Sequence, residues 1–551
     1  MKLPRSFNSV LSFIAVTILF HSTGIAQQAS LLKAIDPDVS LTNLGSIAYL
    51  TDVNGTLFFR ADDGVHGVEL WKSDGTEAGT VLVKDINTSG NGLNVAASFI
   101  NLNGTLFFTA TDGTHGEELW KSDGTESGTV MVKDIQPGSG AGYPASYSKI
   151  DNELFFVAND GINGQELWKT DGTASGTILI KDINNGSADG LISLDGAIAN
   201  GLFYFQANDG THGRELWVTD GTAGGTSLVK DINASADGSP MTFVALNATT
   251  ICFIANDGTT TGSEIWTSDG TAGGTSLLKD INPSQYALHP LYLNVVNSIL
   301  YFSADDGTNG NELWLSDGTT SGTKMVKDIN PGTNGSWPSQ YSIYNGLLYF
   351  QADDGTHGPE LWQTDGTAAG TLMTADINPT DGSYPYGMIE LNNLMYFAAN
   401  DGTYGTELWK SDGTAVGTVL VTDVQPGSNG SSPEFFSVSN NYLYFLANDG
   451  TNGFEIWTTA ASTTLAVKNI STTTSNLFPN PAADEITIQS KMEFSGIEIV
   501  DIQGNSVYKK YSPGTLSSTI NPALHNGLYL LKLMNNEDGT VLYQEKLMIN
   551  R

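Results

Sequence analysis

Cysteine is nearly missing from this sequence. Cys252, inside the apolar run ICFIA, is the sole one in 551 residues, which excludes an internal disulfide framework and any cysteine-based metal cluster. Its reading is a small buried hydrophobe. Cations are scarce too: 24 Lys and Arg stand against 59 Asp and Glu, for a formal charge of −35. A face for nucleic-acid phosphates or an anionic membrane needs clustered Lys and Arg, so neither partner class is expected. Past the N-terminus no apolar run approaches the roughly 18 residues of a membrane helix, and long helical stripes are absent. There is no H-E-x-x-H, no G-x-S-x-G elbow and no P-loop, hence no sequence signature of catalysis.

One apolar run does occur, at the N-terminus. Lys2 and Arg5 precede VLSFIAVTILF and the small-residue stretch STGIAQQA, the order of a signal peptide over residues 1–26. The remaining chain is expected to be exported to the periplasm and beyond, with no transmembrane segment in its mature form.

Glycine and tryptophan carry the architecture. The 62 glycines suggest many short strands joined by tight turns. Nine of the ten tryptophans, from Trp71 to Trp457, recur every 47 to 49 residues, and only Trp337 falls outside the series. Such a period marks units that bury their faces against one another. Each unit holds four strand candidates: a variable first one (FINL, FVAL, YSIY), an LFF or LYF run apolar on both faces, a Glu-Leu-Trp strand, and a V-L-V-K-D-I strand. Asp-Gly turns separate the later strands, and a Pro/Gly/Ser-rich crossover leads to the next unit. The fold class predicted is all-β: a β-propeller of about nine four-stranded blades with 48-residue repeats, followed by a small β-sandwich. A single ring is the first reading, with two smaller rings or an open stack as alternatives. The recurring fourth-strand lysines, Lys84 to Lys327, are expected to guard an unpaired outer edge.

The block ELWKSDGTESGTVMVKDI of the second copy, repeated in eight units, resembles the ELWxxDGT repeat family of secreted proteins over roughly residues 50–470, within a propeller domain expected at residues 30–470. The ninth copy departs from it, reading EIWTTAASTTLAVKNI. Upstream, SLLKAID at 30–36 looks like a lone fourth strand that could clasp the last unit, in competition with the ninth copy's own VKNI. After a linker at 471–475, the FPNP start at 478–481, the GLYLLKL strand at 527–533 and the basic end at Arg551 resemble a type A C-terminal sorting domain of the type IX secretion system over residues 476–551. That resemblance implies the type IX machinery as a partner, removal of the domain, and a mature protein that is secreted or on the outer cell surface.

Function is less legible. The nine tryptophans are assigned to packing between units. The glutamate two residues before each one shares its strand face and needs a partner, expected in the backbone of the preceding Asp-Gly turn. Strings such as ADDGVHGVE gather the oxygens Ca²⁺ prefers, yet miss the D-x-[DN]-x-[DN]-G spacing. They read first as turns, with Ca²⁺ as the possible cofactor and no metal ligands named. His66, His115, His212 and His357 occupy one turn position that tolerates Asn, Thr and Tyr. A site is expected where the copies differ, on the crossovers, through Tyr143, Tyr286, Trp337, Tyr384 and Tyr386, with His289 beside them. The function expected is binding or adhesion to an extracellular glycan or protein. The alternatives are a glycan-cleaving hydrolase on a propeller scaffold, with carboxylates roughly 5 to 10 Å apart, and a structural surface-layer component. Arg214, Asp381 and Glu434 are the charges noted as breaking the repeat.

Overall fold

The computed structural model describes residues 29–36, 46–94, 98–259, 262–283, 290–460, 476–478, 486–500, 506–521, 524, 527–534 and 541–549. The signal peptide, the linker, the ninth copy's VKNI, Tyr286 and His289 lie outside these. All regular structure among the described residues is β-strand. The chain divides into two compact units, Met1–Ser462 and Thr463–Arg551.

Among the described residues the first unit holds nine antiparallel four-stranded sheets, eight of them built from consecutive strands. The third sheet shows how its sequence produces it. Ala145–Ile150, Glu153–Asn159, Gln165–Thr170 and Ile178–Lys181 lie side by side in chain order. The second strand is buried from Leu154 to Ala158, and the strand's period of two sends alternate residues to opposite neighbours. Leu154, Phe156 and Ala158 pack with Phe107 and Leu119 of the second sheet, while Phe155 and Val157 pack with Phe203 and Phe205 of the fourth. A strand apolar on both faces is stable only when covered twice, and the flanking sheets supply both covers.

Each tryptophan packs back onto the preceding sheet. Trp168 joins the second sheet's core, and Trp217 the third's. The eight indoles from Trp71 to Trp409 are all buried. The lysines do not guard a free edge as expected. Lys84 reaches the next sheet, where its ammonium donates to the Thr129 carbonyl at 2.8 Å and sits 5.7 Å from the Trp120 ring. Lys133 does the same with Thr177 and Trp168. A long stem with a charged tip can cover an indole and still satisfy its donors, so these residues link sheets.

The ninth sheet takes its fourth strand from the N-terminus. Ser30–Lys33 pairs antiparallel with Phe454–Ala460, Leu31 opposite Trp457. Leu32 and Ile35 share a core with Phe59 and Trp71 of the first sheet and Tyr444 and Ile456 of the ninth. Lys33 donates to the Thr80 carbonyl at 2.7 Å and lies 5.8 Å from the Trp71 ring, as Lys84 does one sheet later. Ser439 Oγ donates to Asp52. The first and ninth sheets are thus neighbours.

The second unit is one branched five-stranded sheet. Its long strand Ile486–Val500 pairs with both Ser506–Ile520 and Gly527–Met534. Ile488, Phe494, Ile499, Leu531 and Leu547 form its core.

Candidate functional site

The buried glutamates position the crossovers. Glu118 is fully buried. Its Oε2 accepts from Ile135 N at 2.8 Å, and its Oε1 from Gln136 N at 3.2 Å and Gly142 N at 2.9 Å. The donors therefore lie after the fourth strand and in the crossover, not in the Asp-Gly turn expected from sequence. That turn is already complete. In the first copy Asp62 Oδ1 accepts from Gly64 N at 2.7 Å, and Asp63 Oδ1 accepts from Val65 N and His66 N, each at 2.9 Å. Burial pushes Glu118 up to about 7 against the pull of its three N–H donors.

Where the crossover carries Ser in place of Gly142, the hydroxyl joins in. Ser336 donates to Glu312 from N at 3.0 Å and from Oγ at 2.6 Å, and Ser383 does so to Glu360 at the same distances. The residue that follows each donor is Tyr143, Trp337 or Tyr384. Each donates its own N–H to the carbonyl of the residue before the Glu: Glu117, Asn311 and Pro359. Each also has a left-handed backbone, with φ of +47°, +52° and +50°. Tyr143 is 55 % exposed, and Trp337 and Tyr384 51 %. Left-handed backbone is costly for aromatic residues, on the order of 1–3 kcal/mol, and persists where the surroundings over-determine it. Three of the predicted site residues thus occupy one equivalent position, and Ser239 and Ser432 fill it in other copies.

Tyr386 does not join them. It opens the eighth sheet's first strand, Tyr386–Leu391, where burial and the nearby Glu434 carboxylate both raise its phenol. It lines a cavity of about 520 Å³ with Gln340, Met388, Glu434 and Phe435. Of the other asymmetric charges, Arg214 lies 3.7 Å from Asp237, and Asp381 accepts from Gly382 N.

The first strands form a further surface that the sequence reading missed. They carry a second left-handed position, with Tyr49, Tyr292, Gln340 and Phe435 at φ of +52° to +60°, where pairing with the second strand slips. Tyr292 and Phe435 are about half exposed there. Between the first and ninth sheets lies a cavity of about 370 Å³ lined by Ile47, Tyr49, Leu50, Arg60, Phe435 and Phe436. Arg60 stands where the other second strands carry Thr, Val, Gln, Ile, Ser, Ala or Leu. That break in the repeat was visible in sequence, but the LFF run around it reads as core.

The four turn histidines each place Nδ1 2.7–2.9 Å from an aspartate three residues earlier. Asn163, Asn309 and Asn452 put Nδ2 in the same place. Among the described residues no three His, Cys, Asp or Glu gather as a metal shell, and no helix is long and apolar enough to cross a membrane.

Comparison with known proteins gives one firm assignment. Residues 476–550 match the family described as the secretion system C-terminal sorting domain. This tail directs the chain to type IX secretion, and so to the outer cell surface or the medium. No curated protein matches the chain. Among solved structures it is similar to a puromycin hydrolase, with 13 % identity, TM-score 0.35, and 77 % of this chain covered against 61 % of that one. It is also similar to PorZ, a surface component of the type IX secretion system of Porphyromonas gingivalis, with 11 % identity, TM-score 0.28, and 95 % of this chain covered against 82 % of that one. The chain therefore spans under two thirds of the hydrolase's length, and similarity at these TM-scores carries no argument.

Proposed function

We propose that the nine sheets are the blades of one closed β-propeller, and that the exported protein is a binding module whose crossover aromatics hold an extracellular saccharide. Closure is supported by the N-terminal strand, which completes the ninth sheet and packs on the first. Residues 476–551 hand the chain to the type IX machinery and are then removed, leaving the repeats at the cell surface.

The observation that carries the binding reading is the shared position of Tyr143, Trp337 and Tyr384. Buried glutamates lock the crossover backbone beneath them, so each aromatic face is half in water without being free to collapse. Rigid, pre-oriented aromatic faces lose little entropy on binding and stack on sugar rings or anchor a protein. The test is a glycan array probed with the exported chain and with a Trp337→Ala/Tyr384→Ala variant. Wild type should retain a subset of polysaccharides, and the variant should lose at least about tenfold in affinity. Undiminished retention by a variant that melts like wild type would overturn the reading; retention of a protein partner alone would replace saccharide by protein.

A further inference from the structure

The cavity between the first and ninth sheets has a chemistry the crossover aromatics lack. Arg60 is 8 % exposed, the one cation at its position in the nine second strands. One amino group, Nη1, donates to the Asn94 carbonyl at 2.6 Å, and the guanidinium lies 5.4 Å from the Tyr49 ring centre. Its Nε is buried and has no hydrogen-bond partner among the described residues. An unpaired buried donor on a permanent cation is expensive. Thr109 and Gln206, at the same position in other sheets, tie down the crossover through Pro144 and Pro240 without any charge. Arg60 makes that tie with Nη1 and in addition brings a cation to the cavity wall.

We propose that this cavity is a second binding site, distinct from the crossover aromatics, that takes a sugar acid with its carboxylate on Arg60 and its ring against Phe435. The other walls are apolar and aromatic: Tyr49, Leu50, Phe435 and Phe436. A hexuronate has the matching pair of features, a C–H face for an aromatic and a planar carboxylate for a guanidinium. A chain of net charge −35 repels dense polyanions, which favours one carboxylate per residue over sulfated or phosphorylated sugars.

Calorimetric titration of the exported chain with galacturonate, galactose and a blocked dipeptide carboxylate tests this. Galacturonate should bind at least about tenfold more tightly than either control, since a charge-assisted hydrogen bond is made only by the acid and the stacking only by the sugar. Arg60→Gln should reduce galacturonate to the level of galactose, and Phe435→Ala, at an exposed position, should weaken galacturonate with the fold intact. Equal affinity for galactose, equal affinity for the dipeptide, or unchanged binding by either variant overturns the proposal; if Arg60→Gln fails to fold, Phe435→Ala decides. In the Trp337→Ala/Tyr384→Ala background Arg60→Gln should still abolish the preference for galacturonate over galactose, so this site and the crossover reading fail separately.

Discussion

Third strands and first strands of the same sheets obey opposite rules. Every third strand carries Glu, Leu or Ile, and Trp in one register, with the Glu and the aliphatic residue nearly or wholly inaccessible. First strands such as FINL, GAIA, SQYSIY and EFFSVS share no side chain and are largely half-exposed. The third strand faces a sibling, and an interface between near-identical sheets repeats its residues because each must fit the same neighbour. The first strands meet one another instead, Tyr49 on Phe99 and Tyr292 on Tyr341 with ring centres 5.6 and 6.0 Å apart, and they vary from copy to copy. The crossovers stand between the two, their backbone held by the invariant Glu and the next side chain unconstrained. On the proposed function, cohesion and recognition are thus neighbours within each unit.

The comparison breaks most severely at the borrowed strand. Deleting residues 29–36 removes the ninth sheet's fourth strand, buried Leu32 and Ile35, the Lys33 link to Trp71, and the N–H groups of Ile35 and Asp36 that Glu455 accepts at 2.9 Å. Two buried aliphatic side chains alone contribute about 3–6 kcal/mol. The truncated chain should melt at a lower temperature in a broadened transition and be cut by protease within the ninth sheet. A truncated chain with the melting curve of the full one would show that the N-terminal strand is dispensable.

Next in size is the glutamate. Glu118→Ala leaves the N–H groups of Ile135, Gln136 and Gly142 without their acceptor. At roughly 1 kcal/mol or more per orphaned buried donor, the loss is about 3 kcal/mol, or several degrees of melting temperature. The same residues predict a pH dependence. Burial pushes Glu69, Glu118 and Glu166 up to about 7, and Glu264 and Glu455 up to about 8. A carboxyl raised above its unfolded value near 4.5 contributes stability that is complete below that value and lost as pH rises through 7 to 8. The turn histidines, raised by their aspartates, act in the same direction. The melting temperature should therefore fall between pH 5 and pH 8.5; a rise would show the glutamates ionised throughout.

These outcomes also mark what the sequence could disclose. Strand order, tight turns and the packing of Trp168 or Trp217 followed from period and alternation, because those features are local or shared by every copy. The partners of Glu118 were not legible: its donors lie 17 to 24 residues downstream, across the fourth strand, and only the fold brings them near. The lysines misled for a related reason, since Lys at a strand end suits both an exposed edge and an indole on the next sheet. Tyr143, Trp337 and Tyr384 stood out because they break the repeat, and the structure places them at one equivalent position. Arg60 breaks it equally, but inside an LFF run where period-two reasoning sees only core.

A milder effect is expected from the lysine link. The seventh sheet has Ala375, and the eighth Thr422, where the other seven have Lys, and Trp409, the indole one sheet beyond Ala375, is 9 % exposed against 5–7 % for the seven before it. Ala375→Lys should cover that indole and stabilise by about 0.5–1 kcal/mol, with a matching fall in Trp409 quenching by acrylamide. Lys133→Ala should cost a similar amount. If Ala375→Lys leaves both readouts unmoved, the lysine does not contribute to the link between sheets.

The smallest effect concerns the turn that tolerates His and Asn. His66 Nδ1 sits 2.8 Å from Asp63 Oδ2, and Asn163 Nδ2 sits 2.7 Å from Asp160 Oδ2 in the same geometry. The two nitrogens are interchangeable donors to one carboxylate, so His66→Asn should leave the melting temperature at pH 8.5, where the imidazole is neutral, unchanged, whereas His66→Leu, which keeps bulk and removes the donor, should lower it slightly. The imidazole differs from the amide in one respect: it takes up a proton beside Asp63, which raises its pKa. His66→Asn should therefore remove a small part of the gain in stability that accrues as pH falls toward about 6.5, and Asn163→His should add one. A turn indifferent to Leu would mean that the Asp63 contact contributes nothing, and that the position is governed by backbone conformation alone.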